Sequence, residues 1–251
     1  PLIAHKISLL RDARVKPKQF RELVNELGLM IGYHATANLD LVETKQLESP
    51  VAPFTGVKLK DKIGIFPIMR AGLGMVDSFL QLIPSARVHH LGLYREHSTL
   101  LPVEYYNKLP AQCSVDLGFV VDPMCATGGT AVAAINLLKE WGLKKIKFVA
   151  LIGSTYGIKV LSDAHPDVEI HVGVIDDQMT EAGYIVPGCG DAGDRYVMLV
   201  CQCITSLICW LKNLQNSVNG SYQIHAKLSY IYRMKRMIDM LSVYNSALFN
   251  T

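Results

Sequence analysis

An α/β fold, a parallel central sheet flanked by helices, is what this sequence predicts, and three observations predict it. Short apolar runs at 63–67, 88–94, 119–121, 146–152 and 168–174 have the length and continuity of strands buried on both faces. Helical patterns separate several of these runs, the alternation expected of a parallel sheet wound with crossover helices. Half of the 251 residues are hydrophobic, ample for the core of one such domain or of a domain with an appendage.

In chain order, Pro17 opens an amphipathic helix with Phe20, Leu23, Val24, Leu27 and Ile31 on one face. Proline suits a first helical turn because the N–H it lacks would be unpaired there. Residues 40–62 mix apolar positions with Pro50, Pro53 and Gly56, the composition of short strands and turns. Run 63–67 is a buried strand; Arg70, Gly72 and Gly74 follow it, then a helix from Met75 that Pro84 ends. Run 88–94 is a strand that delivers Arg95 at its carboxyl end. Residues 97–110 are polar, proline-bounded and contain Glu104, Tyr105 and Tyr106, which reads as a flexible hairpin lid. After run 119–121 comes the loop 122–130, then a helix over 131–141 (Val132, Ile135, Leu138) closed by Gly142. A strand at 146–152, a short helix ending near Pro166, a strand at 168–174 and a Gly-rich loop at 183–195 complete the domain.

Composition excludes some classes of function. The segment from Tyr196 onward holds five of the 25 basic residues and one of the 22 acidic ones, so the preceding 195 residues carry a net charge of −1. That is not the basic excess of a protein that grips nucleic-acid backbones. The six cysteines form no CxxC pair, which fits a reduced, cytoplasmic setting. The chain begins at Pro1, so we expect a trimmed or partial chain; no secretory h-region is visible, and a lost targeting peptide stays open.

The chemistry concentrates in Asp122, Pro123, Met124, Cys125, Ala126, Thr127, Gly128, Gly129 and Thr130. A strand, a small-residue loop and a helix in that order aim unpaired backbone N–H groups at whatever sits above the sheet edge. Two glycines alone would more often mark an ordinary turn. With an acid at the strand end and two flanking threonines, the loop reads as a phosphate cradle. Arg70 and Arg95 end neighbouring apolar strands, where a guanidinium is as often a salt-bridge partner as a ligand. Sharing an edge with the cradle, they point to a second anionic group. A sugar with phosphates at two ends, phosphoribosyl pyrophosphate, fits this set, with Asp122 on its hydroxyls. Residues 188–193 match G-x-G-x-x-G weakly, because Pro187 precedes them and no helical period follows. No P-loop lysine motif, zinc spacing or nucleophile elbow occurs, and 153–155 is not one.

Five segments in order carry a family resemblance: 67–77 (PIMRAGLGMVD), 91–95 (LGLYR), 102–110 (PVEYYNKLP), 122–130 (DPMCATGGT) and 183–195 (GYIVPGCGDAGDR). Residues 2–195 resemble the uracil phosphoribosyltransferases along essentially their whole length. The resemblance implies a type I phosphoribosyltransferase-like fold with a flexible hairpin lid and a uracil-binding hood, a domain at 1–195 and an atypical extension at 196–251. It implies transfer of ribose 5-phosphate from phosphoribosyl pyrophosphate to uracil N1, giving UMP and pyrophosphate. Asp122, Arg70 and Arg95 would be the catalytic residues. The diphosphorylated sugar would be held by these three, the rest of the loop from Pro123 to Thr130, and Asp191. Uracil would be read by Ile185, Gly190, Asp191 and Ala192, largely through main chain. The implied cofactor is Mg2+, held through the substrate and water; the implied partners are a GTP effector and further copies of the chain in a homodimer or homotetramer. Cys125 and Cys189 stand where the family has leucine, which adds an expectation of thiol sensitivity. A rival reading is a regulator of the same fold that senses nucleotides or binds RNA, and a second is a relative inactivated by its altered end.

The extension resembles nothing familiar. Residues 196–211 are apolar but only 16 long, short of the ~20 that span a membrane. Ile231, Met234, Ile238, Leu241 and Leu248 keep a helical stripe beside Arg233, Lys235 and Arg236, which would suit a membrane-surface or partner helix. The plainer reading is translated non-coding sequence or a mispredicted exon.

Overall fold

The computed structural model describes residues 1–95 and 102–197. These belong to a single unit, Pro1–Leu199. The expected helix near 231–248 lies outside the described residues, as does the first part of the expected lid.

Two helices lead the chain, α1 (Leu2–Arg11) and α2 (Pro17–Ala35). The stripe of α2 is buried as its spacing predicts, with Phe20, Leu23, Val24, Leu27 and Ile31 at most 4% exposed. Helix α1 was not legible: only Ile7 and Leu10 are buried, and no side chain caps its start. An antiparallel hairpin of β1 (Leu41–Glu48) and β2 (Pro53–Leu59) forms its own two-stranded sheet.

The central sheet begins with β3 (Ile63–Met69), buried along nearly its whole length. A 3-10 turn (Ala71–Met75) leads into α3 (Val76–Leu82). The strand expected at 88–94 is divided into β4 (Arg87–Val88) and β5 (Leu91–Arg95). Both pair with β3 in one register, Val88 beside Ile65 and Leu91 beside Ile68. The break falls alongside Phe66 and Pro67, and proline has no N–H for the ladder. Strand β6 (Pro102–Asn107) then pairs antiparallel with β5, so the lid segment from Pro102 is the outer strand of a hairpin and the sheet is mixed rather than wholly parallel.

Next come β7 (Leu117–Val121), β8 (Met124–Cys125), α4 (Gly129–Glu140), β9 (Lys145–Ser154), α5 (Thr155–Ala164) and β10 (Glu169–Asp176). The main path runs β10-β9-β7-β3-β5-β6, with β8 beside β9. Neighbouring residues feed opposite faces. Phe119, Val121, Val149 and Leu151 join the core under α1, α2 and α3. Val120, Phe148 and Ala150 join the core with Ile135, Leu138 and Leu161 of α4 and α5. Each fully buried Phe or Leu contributes roughly 1.5–3 kcal/mol relative to exposure, which is what holds helices to both faces.

The Gly-rich segment is more regular than its composition suggests. Strand β11 (Gln178–Met179) pairs antiparallel with β12 (Ile185–Val186), and α6 (Ala192–Val197) follows. Helix α6 starts because Asp191 caps it, its Oδ1 accepting from the Asp194 N–H at 2.8 Å. Among the described residues no helix is long and apolar enough to cross a membrane.

Candidate functional site

Strands β3 and β7 are neighbours, with Pro67 beside Val121, so their carboxyl ends open on one edge. Asp122 follows β7 there; its N–H donates to Val149 O at 3.1 Å, which anchors it to β9. The Pro123 carbonyl accepts from the N–H groups of Leu151 and Ile152, and β8 pairs with Ile152 and Gly153. The loop read as a small-residue turn is therefore stitched to β9 until Cys125. Only Ala126, Thr127 and Gly128 are left to turn the chain into α4.

Gly128 makes the turn with φ +80°, a left-handed conformation that L side chains rarely adopt. No side chain caps α4, so its first N–H groups face the cleft without a side-chain acceptor. Beneath the loop lies the start of α5. A Cβ on Gly157 would sit 2.2 Å from Ala126 O, so glycine there lets the helix approach. Ser154, wholly buried, ties the two together. Its hydroxyl donates to Ala126 O and accepts from the Gly157 N–H.

A cleft of about 210 Å³ lies between this loop and segment 183–193, where the hood is expected. One wall is Asp122, Met124, Cys125, Ala126, Thr127, Gly128, Thr130 and Ala131; the other is Gly183, Tyr184, Ile185, Gly190, Asp191, Ala192 and Gly193, with Ala71 at the rim. Most of the sequence-predicted residues are thus brought together. Pro123 is buried behind the wall and Gly129 begins α4. Arg70 stands just outside the lining, after a cis Met69–Arg70 peptide, and donates to Asp194 Oδ1 at 3.2 Å. Arg95 ends β5, the parallel neighbour of β3, so its backbone shares the edge with Arg70. The G-x-G-x-x-G match dissolves into this hood.

The electrostatics centre on Asp122. Removal from water pushes its carboxyl up to about 7; the Met124 N–H opposes the shift and the Asp191 charge adds to it. A carboxylate held near neutrality beside another acid is poised for hydroxyl groups or a cation. The cysteines go the other way from the expected thiol sensitivity. Burial pushes Cys125 up to about 12 and Cys189 up to about 11, so neither is a ready thiolate. The Cys189 thiol donates to Met124 Sδ at 3.4 Å, a weak hydrogen bond that joins segment 183–193 to the loop.

Sequence reasoning missed Ser154 and Gly157, and it missed Arg11 and Asp176, which brace the hood. Arg11 and Asp176 stand 165 positions apart and carry no local signal.

Comparison with known proteins follows the same boundaries. The family profile described as Uracil phosphoribosyltransferase matches residues 1–197. A protein named uracil phosphoribosyltransferase from Roseiflexus castenholzii is 56% identical over 195 residues, 78% of this chain and 93% of that protein. One of the same name from Agathobacter rectalis is 50% identical over 196 residues, with the same coverage of 78% and 93%. Among solved structures, the AQ2163 protein of Aquifex aeolicus superposes with a TM-score of 0.74 at 35% identity, covering 78% of this chain and 94% of that one. The loop after β7, the arginine-bearing strand ends and segment 183–193 sit within a match spanning every described element: the chain belongs to the uracil phosphoribosyltransferase family and has a type I phosphoribosyltransferase-like fold.

Proposed function

We propose that this chain transfers ribose 5-phosphate from phosphoribosyl pyrophosphate to uracil, giving UMP and pyrophosphate. The observation that carries the reading is the cleft, with Asp122 and the uncapped start of α4 on one side and hood backbone at Ile185, Gly190 and Ala192 on the other. The 5′-phosphate fits the N–H groups from Thr127 to Thr130, where a helix start favours an anion. Asp122, ionised above about pH 7, accepts from the ribose hydroxyls. Arg70 and Arg95, on adjacent strand ends, hold the pyrophosphate. Arg70 is half-exposed and its bond to Asp194 is exchangeable, so substrate can take its place.

Uracil N1 attacks C1′ as the C1′–O bond to pyrophosphate breaks; the bonding pair leaves with pyrophosphate and the N1 proton is lost. Positive charge develops on the sugar as in glycoside chemistry, so no covalent nucleophile is required. What the chain supplies is alignment of N1 behind C1′ and fixed donors for the departing charge. Fixed backbone donors and acceptors suit a small planar amide, because a base lacking the 4-oxo group leaves them unpaired. The exposed edge strand β6, with Glu104 to Asn107, is the proposed lid that keeps water from C1′.

Mg2+ suits the donor set. Asp122 and Asp191 are close enough for one charge to raise the other's pKa, and carboxylates favour a hard oxygen-seeking ion. The ion is read as held through substrate and water rather than enclosed by protein. When bound, it offsets negative charge on the pyrophosphate.

The deciding experiment incubates the full chain with labelled uracil, phosphoribosyl pyrophosphate and Mg2+. Labelled UMP is expected; folded protein that forms none overturns the reading.

A further inference from the structure

The hood reads a base through its main chain, so its selectivity depends on whatever holds that main chain still. Gly188 turns the loop with φ +49°, and a Cβ there would meet Ile185 O at 2.2 Å. Both of its peptide groups are taken by one ion pair from elsewhere in the chain. Arg11, the last residue of α1, lays its fork on Asp176, the last residue of β10. Nη1 reaches Oδ2 and Nη2 reaches Oδ1, each at 2.7 Å. The same Nη1 donates to Gly188 O at 2.9 Å, and Asp176 Oδ2 accepts from the Gly188 N–H at 3.1 Å. The pair is largely buried, with side-chain exposure of 20% for Arg11 and 8% for Asp176. Next along, Arg195 Nη1 donates to Cys189 O at 3.0 Å and to Leu10 O at 2.6 Å, which ties the hood to the end of α1 a second time.

We propose that Arg11 and Asp176 are positioning residues that set uracil selectivity, by clamping both peptide groups of Gly188 and so fixing the reading positions on either side, Ile185 and Gly190. This rests on the hood being the uracil site. Neither residue lines the cleft, so neither touches the base. Their effect passes through two or three residues of backbone, one link of which is a cis Val186–Pro187 peptide. The Asp176 carboxyl is held below its usual range, chiefly by the Arg11 hydrogen bonds, in keeping with a persistent charged pair. The phosphate cradle rests mainly on β9 and Ser154, and meets the clamped segment only at the Cys189–Met124 contact. Loosening the clamp should therefore move uracil recognition far more than phosphoribosyl pyrophosphate recognition.

Two near-isosteric substitutions test this. Asp176→Asn keeps an acceptor for the Gly188 N–H but loses the charged fork. Arg11→Lys keeps the charge, yet a point ammonium cannot reach both carboxylate oxygens and Gly188 O in one plane. For each, the KM for uracil should rise roughly tenfold or more while the KM for phosphoribosyl pyrophosphate stays within about twofold. Turnover of cytosine relative to uracil should rise. Amide exchange at Gly188 and Cys189 should quicken, a readout independent of catalysis. A merely structural role would lower the active fraction without splitting the two KM values. That result, equal rises in both, or unchanged exchange overturns the clamp. If one variant fails to fold, the other decides. Failure of the unsubstituted chain to make UMP overturns the uracil reading instead, and the exchange comparison still judges whether the pair holds Gly188.

Discussion

At the scale of single residues, Asp122 is where stability and activity pull apart. Its carboxyl titrates near 3.8 in a free chain and near 7 in the folded one. Between those values the folded state binds more protons than the unfolded state, so stability falls as pH rises. Asp122→Asn removes that dependence. The variant should match the parent near pH 4 and exceed it by about 1–2 kcal/mol at pH 7, once screening by solvent in the open cleft is discounted. Denaturant melts across this range read the difference. The same change should lower kcat/KM for phosphoribosyl pyrophosphate about tenfold to a hundredfold, because the proposed charged acceptor for the ribose hydroxyls is gone. Loss of stability at neutral pH in the variant would contradict the burial argument. Arg70 illustrates a different point. Its place at a strand end was legible from the apolar run before it, but its resting partner, Asp194, was not.

At the scale of elements, the turn from β7 to α4 works because three neighbours share its backbone bonds. Strand β9 takes Asp122 and Pro123, β8 extends the pairing, and the start of α5 supports Ala126. Ser154 is the joint, capping α5 while donating to the loop. Ser154→Ala should cost about 1–2 kcal/mol, since it removes a helix cap and strips Ala126 O of its buried donor. With the loop less constrained, the KM for phosphoribosyl pyrophosphate should rise and that for uracil should not, the mirror image of the hood variants. Thermal melting with steady-state kinetics checks both; a change in uracil KM alone would contradict the division of labour. Glycine in the loop was visible in sequence. The requirement for glycine at 157 was not, because it arises from Ala126 O approaching from 31 positions away.

At the scale of the whole molecule, one sheet edge collects strand ends from distant parts of the chain. Strands β3, β5 and β7 adjoin in the order β7-β3-β5, so the backbone at Asp122, Arg70 and Arg95 shares one edge although 52 positions separate Arg70 from Asp122. The family match ends at residue 197, and 195 residues already cover 93% of the Roseiflexus relative. A chain ended after Leu199 should therefore make UMP with a kcat/KM within about twofold of the full chain. Loss of activity on truncation would assign the extension a part in the reaction.

What the sequence determined by itself is local and periodic. Apolar runs of strand length, the helical stripes of Phe20 to Ile31 and of Val132 to Leu138, and the acid, glycines and threonines of 122–130 all follow from spacing and residue chemistry. Tertiary structure alone decided what depends on contacts between remote segments. Pro67 divides the strand beside it, Ser154 and Gly157 carry the loop between β8 and α4, and Arg11 reaches Asp176 and Gly188 across 165 and 177 positions. The physical reason is shared: a hydrogen bond, a missing donor or a close approach between distant residues leaves no period in the chain, and only the folded sheet brings the two ends together.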